Sequence, residues 1–274
     1  MRRREKPTPK ILFLFLASIS FLLLSCAAVL GQQPFYTDDA DVTPRHHFHF
    51  EFSNQYDLLQ RSASPSLRQN TADFELDFGL FENVEVGIEA PLITIMNAQG
   101  TLPQTPTGIG DTNLSVKWNF HKEQEHSRMP ALALSFDFEM PTGNVNEQLG
   151  SGLADYTAYG IVQKSLTNKT KLRLNGGILF SGNTMTGVIG IKTRGLVWIG
   201  SASVVKQFTR KLDLGLEVTG AVTHNLELSK GQLQFLGGGN YQLTRKMSLD
   251  FGIIGGKFAA SPRVGAQLGI SVDF

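Results

Sequence analysis

In the run ADFELDFGL, Asp73, Glu75 and Asp77 stand at every second position, with Phe74, Leu76, Phe78 and Leu80 between them. On an extended chain this spacing sends three carboxylates to one side and four apolar groups to the other. Carboxylates gathered on one wall attract cations, or supply oxygen ligands to a hard metal ion. The same alternation puts Glu51, Glu85, Glu89, Asp137, Glu139, Asp213, Glu217, Asp250 and Asp273 on the polar side of their own runs. Bases on that side are few, chiefly Lys117 and Arg173, with His47 and His49 charged according to pH. Twelve acids against two firm bases would favour cations, unless wide water or loop Lys and Arg neutralise them.

A second acidic group, Asp38, Asp39 and Asp41, lies in PFYTDDADVTPRHHF. Its spacing is not that of an EF-hand loop. A solvated tail is the plainer expectation, and a segment folded inward as a partial plug is the alternative. No metal site or cofactor is expected. Catalysis would need a positioned base. Of six histidines, only His224, beside Asn225, falls where a barrel lipase could use one, and no GxSxG elbow is present. In GIGD, Gly108 and Gly110 permit a turn with positive φ, and Asp111 opens the next strand. The strand-then-helix context of a nucleotide loop is missing.

The elements that must position these groups are strands. HFHFEFSNQY, NLSVKWNF, ALALSFDFEM and KLDLGLEV all alternate apolar with polar. Twelve such runs are expected, near 46–58, 71–80, 84–95, 110–121, 129–140, 154–164, 171–181, 194–208, 211–222, 231–243, 247–257 and 264–274. Each is near the length of a tilted membrane-crossing strand, about 9–11 residues. Connections alternate between short ones, such as FEN at 81–83 and TR at 209–210, and long ones at 59–70, 96–109, 141–153 and 182–193. That alternation, with an even strand count, predicts an all-β fold: a transmembrane antiparallel up-and-down β-barrel of about twelve strands, both termini on the short-turn side.

The first residues are read as targeting rather than fold. MRRREKPTPK is basic, ILFLFLASISFLLLS is apolar, and small residues follow, so 1–31 is expected to be a cleaved signal peptide. Cleavage after Ala28, cleavage after Gly31 and lipoprotein processing at Cys26 are the three options. Residues 32–45 would form a periplasmic segment, the candidate plug, and 46–274 the barrel. The leader carries five bases and one acid, so its removal takes the formal charge from +1 to −3, which argues against nucleic-acid binding. Cys26 is the one cysteine of the 274 residues, so the barrel has no disulfide.

The chain ends VGAQLGISVDF. Ile270, Val272 and Phe274 would face lipid, with Phe274 in an interfacial aromatic girdle. The ending resembles the C-terminal signal by which bacterial outer-membrane barrels are recognised for assembly, which implies the barrel assembly machinery as a partner. Together, PFYTDDADVT, GIGDTNLSVKWNF at 108–120, PTGN at 141–144 and the last strand resemble the MetA-pathway of phenol degradation family over most of the mature chain. The resemblance implies an outer-membrane barrel that transports small, often aromatic or hydrophobic, solutes, and it implies no catalytic residues. The expected function is therefore a channel in the bacterial outer membrane, embedded in lipid. Its lumen charges would be Glu51, Glu75, Asp77, Glu85, Glu89 and Asp137. A structural or adhesive barrel without an open pore is the alternative, and a lipase-type enzyme a weaker one.

Overall fold

The computed structural model describes residues 33–61, 68–97, 104–125, 127–182, 194–223, 232–258 and 261–274. The leader, Cys26, His126 and His224 lie outside these residues. The strands are β1 (Phe48–Leu58), β2 (Arg68–Phe81), β3 (Val84–Ile95), β4 (Thr107–Ile109), β5 (Thr112–His121), β6 (Ala131–Met140), β7 (Asp155–Thr167), β8 (Thr170–Gly182), β9 (Arg194–Gln207), β10 (Leu212–Thr223), β11 (Gln232–Gln242), β12 (Met247–Lys257) and β13 (Val264–Asp273). Each pairs antiparallel with its sequence neighbours, except that β4 and β5 both pair with β3 and not with each other, and β1 pairs with β13 to close the sheet.

These strands make twelve staves, because β4 and β5 share one. Both pair with β3, and the break between them falls at Gly110 and Asp111. The expected run over 110–121 is β5, two residues shorter at its start, and β4 extends the stave ahead of it; the reason for the glycines is corrected. Among described glycines only Gly152 has a positive φ. Gly108 and Gly110 are needed for close approach instead: a Cβ on Gly108 would lie 2.9 Å from Leu149 Cδ1, and one on Gly110 would lie 2.6 Å from Ile93 Cδ1.

The outer face is that of a membrane-spanning barrel. Leu216 is 73% exposed, Ile253 68% and Phe235 56%, so apolar side chains stand uncovered where a soluble protein would bury them. Exposed aromatics gather at both ends: Phe81, Trp118, Phe120 and Phe208 toward the short turns, Tyr156, Phe180 and Trp198 toward the long loops. Among the described residues no helix is long and apolar enough to cross a membrane.

The buried core is inside the barrel, and the chain's own N-terminal segment helps to build it. Phe35 packs on Leu236 and Ile254 with Val205 alongside, and Ala40 packs on Ala131, Ala133 and Ile161. All of these wall residues point inward from their strands. The segment leaves past β2, where His46 N donates to Gly79 O at 2.8 Å and Gly79 N to His47 O at 3.1 Å. The expectation of a solvated tail is corrected: Thr37, Asp39 and Ala40 are 0%, 5% and 0% exposed. A segment of turns and irregular chain, outside any sheet, satisfies its backbone only against partners, and the inward acids and amides of the wall supply them.

Candidate functional site

The inward acids form a row across the ladder. Glu51 stands opposite Glu75, and Glu75 opposite Glu89. Glu89 faces Asn113, Asn113 faces Glu139, and Glu139 faces Asp155. Glu51 is three residues past the short-turn start of β1, whereas Asp155 begins β7 at the long-loop mouth. The row therefore climbs diagonally from one end of the lumen to the other, as register and strand tilt require. Asp77 and Asp137 flank it on β2 and β6.

Of the six expected lumen charges, two are engaged in ion pairs. Glu51 lies 2.8 Å from His49 Nε2, and Glu85 2.9 Å from Lys117 Nζ. Thr43 N also donates to Glu85, and Gln33 N to Glu51 at 3.5 Å. The other four, Glu75, Asp77, Glu89 and Asp137, face the lumen. Asp137 accepts from Ser135 at 3.0 Å. Glu89, Asp137, Glu139 and Asp155 line a cavity of about 240 Å³ in the long-loop half, where Leu179 also contributes to the wall.

The opposite wall, β9 to β12, carries three inward acids, Asp213, Glu217 and Asp250, among neutral groups such as Val197, Ser203, Gln234 and Leu236. The acids of the lumen are densest along one arc. At the short-turn end a cavity of about 930 Å³ is of mixed sign, with seven bases on its wall, Lys122, Lys169 and Arg210 among them, against five acids.

The N-terminal segment crosses between these regions and touches every stave. Tyr36 N and Thr37 N donate to Glu217 of β10 at 3.2 and 2.6 Å. Tyr36 OH donates to Gln55 of β1, and Tyr159 OH of β7 to Asp38. Arg173 Nη2 of β8 donates to Asp39 at 3.1 Å, Gln163 Nε2 to Asp41 at 2.9 Å, and Asn119 Nδ2 of β5 to Ala40 O. Asn240 of β11 and Gln267 of β13 both donate to Gln33. Asp38, Asp39 and Asp41 thus point to three different wall groups and do not converge on one centre. Among the described residues no group of three or more His, Cys, Asp or Glu side chains is arranged to hold a metal ion.

Sequence reasoning missed a second structure, at the long-loop mouth. Asp111 of GIGD accepts from Gly143 N at 2.9 Å and Ser151 N at 2.8 Å. Thr142 of PTGN donates to Gly110 O at 2.8 Å and accepts from Thr112 N at 2.9 Å. The two motifs form one knot, and it turns the loop inward so that Leu149 packs on Ile93 and Ile95. The signal was an Asp and a Thr in two glycine-rich loops of one chain, but only register shows that they meet.

A family model described as "Putative MetA-pathway of phenol degradation" matches residues 69–274. Among solved structures, the COG4313 outer membrane channel from Pseudomonas putida F1 is 14% identical, with a TM-score of 0.66 over 88% of this chain and 100% of that one. The NanC porin is 9% identical, with a TM-score of 0.57 over 81% of this chain and 98% of its own. The KdgM porin is 9% identical, with a TM-score of 0.51 over 82% and 99%. At these identities the likeness is one of fold. No curated protein matches the chain.

Proposed function

We propose, because this chain belongs to the MetA-pathway of phenol degradation family, that it is a bacterial outer-membrane channel for small, aromatic or hydrophobic solutes. The acidic arc is its selectivity element, and residues 33–43 are a plug. The observation that carries the reading is the diagonal row Glu51, Glu75, Glu89, Glu139 and Asp155, which runs from one mouth to the other. Like charges placed directly opposite each other destabilise a sheet, so a row of them is retained for something other than folding. A carboxylate-lined route with a less densely charged wall beside it favours cations and hydrogen-bond donors, and inward Leu236 and Ile254 offer contact to an apolar body.

Residues 1–31 are the cleaved leader in this reading, 32–45 the segment entering the lumen, and 46–274 the barrel. Lipid surrounds the apolar belt, and the assembly machinery takes the strand that ends in Ile270, Val272 and Phe274. Neither an enzyme nor a nucleic-acid partner is part of it.

Single-channel conductance of the refolded mature chain in a planar bilayer, under a salt gradient, tests the reading. A chain lacking residues 33–43 should conduct steadily, with a cation-selective reversal potential. A folded barrel that stays silent without the plug would overturn the channel and leave a structural or adhesive role.

A further inference from the structure

Arg173 is 5% exposed, and its guanidinium is only partly used. Nη2 donates to Asp39, while Nε and Nη1 are buried without a partner. Its neighbours in register, Gln163 on β7 and Ser203 on β9, also carry a buried polar atom without a partner: Gln163 Oε1 and Ser203 Oγ. Unpaired buried donors are costly, and a guanidinium left with two of them is incompletely matched.

Guanidinium presents two flat two-point faces to an oxyanion, Nε with Nη2 and Nη1 with Nη2. Both include Nη2, the nitrogen that Asp39 holds. Nη2 has one N–H for each face, so Asp39 occupies one face only. An incoming carboxylate or phosphate either displaces Asp39 from that face or binds the other against the repulsion of its carboxylate, and in both cases the two anions compete for one guanidinium charge. Arg173 lines the short-turn cavity of about 930 Å³, whose wall carries seven bases, Arg173 among them, and five acids. Lys164 and Lys171 are paired with Glu123 and Asp41, whereas Lys122, Lys169, Arg210 and Lys211 add a modest positive bias.

We infer that Arg173 is an oxyanion-binding site, open to the short-turn vestibule, where a small carboxylate or phosphate competes with Asp39 for the guanidinium. The inference rests on the reading of residues 33–43 as a plug only for its consequence: occupation of the site loosens one anchor of that segment. The competition itself does not depend on the pore.

Equilibrium dialysis of radiolabelled benzoate, and separately of inorganic phosphate, against the full mature chain refolded in detergent tests the site. Asp39→Asn removes the competitor and should tighten binding about tenfold, whereas Arg173→Lys keeps the charge, loses the two-point face and should weaken binding at least about tenfold. Tighter binding of one probe alone assigns the site to that anion class. Equal affinity in the wild type and Asp39→Asn, or no binding of either probe to Asp39→Asn, overturns the inference. Should Arg173→Lys fail to fold, the Asp39→Asn comparison decides alone. Conductance of the chain lacking residues 33–43 is read in parallel. If that variant is silent while Asp39→Asn binds tightly, the channel reading fails and the site stands.

Discussion

Phe48 and Phe274 exchange a pair of backbone hydrogen bonds, Phe48 N to Phe274 O at 2.8 Å and Phe274 N to Phe48 O at 3.0 Å. Their rings stack with centroids 5.6 Å apart. The last residue of the chain is therefore a working part of the seam that closes the barrel. One residue further in, His49 Nδ1 lies 2.6 Å from Asp273, so the seam has an aromatic clasp outside and a charged one inside.

Phe274→Ala keeps the backbone pair and removes the ring. The unfolding free energy of the refolded barrel should fall by about 1 kcal/mol, the scale of one aromatic pair. If the ring is also an assembly signal, the amount of barrel in outer membranes should fall far more than that loss explains. Urea titration and membrane fractionation of the same variant separate the two roles.

His49→Phe keeps a ring but removes the two nitrogens that join Glu51 and Asp273, and leaves both acids without that partner. Removing one member of a buried charged group costs about 3–5 kcal/mol. The variant should unfold at clearly lower urea, and adding Asp273→Asn should recover part of the loss.

Glu75→Gln combined with Glu89→Gln should move two properties in opposite directions. Opposed like charges disappear, so stability should rise by about 0.5–1 kcal/mol. In the chain lacking residues 33–43, the cation-to-anion permeability ratio should fall about threefold, since two lumen charges are gone. A selectivity that does not change would take these residues out of the selectivity element.

Gly79→Val tests the place where the N-terminal segment leaves the lumen. A Cβ there would stand 2.2 Å from Pro44 O and 2.4 Å from Thr43 O, and backbone on that side has nowhere to go. The exit should be forced open at a cost of about 1–3 kcal/mol. Protease added at the short-turn side should then cut within residues 37–43, whose Thr37, Asp39, Ala40 and Thr43 are buried in the wild type.

The strands and their facing were legible because alternation with period two reports which side of a wall a residue occupies. Asp73, Glu75 and Asp77 point inward as the pattern requires, and Phe274 closes a strand as the ending suggested. Period two does not report position around the circumference, and that is set by register. The row from Glu51 to Asp155, the knot of Asp111 with Gly143, and the pairing of Arg173 with Asp39 join residues from 14 to 134 places apart. The N-terminal segment was the hardest to read. Its three acids look solvated in a linear text, and the opposing clue was that Phe35 sits among them with no helix or strand pattern to bury it.

The contacts of residues 33–47 have a further consequence, for the number of strands. One short segment reaches β1, β3, β5 and every stave from β6 to β13 with side chains, and β2 with its backbone. A sheet that closed one hairpin too early would leave no room for Phe35 and Ala40. One that closed a hairpin too late would carry Glu217 and Arg173 beyond the reach of Thr37 and Asp39. The segment acts as a gauge of the barrel's bore, and it lies first in the chain, ahead of every strand it measures.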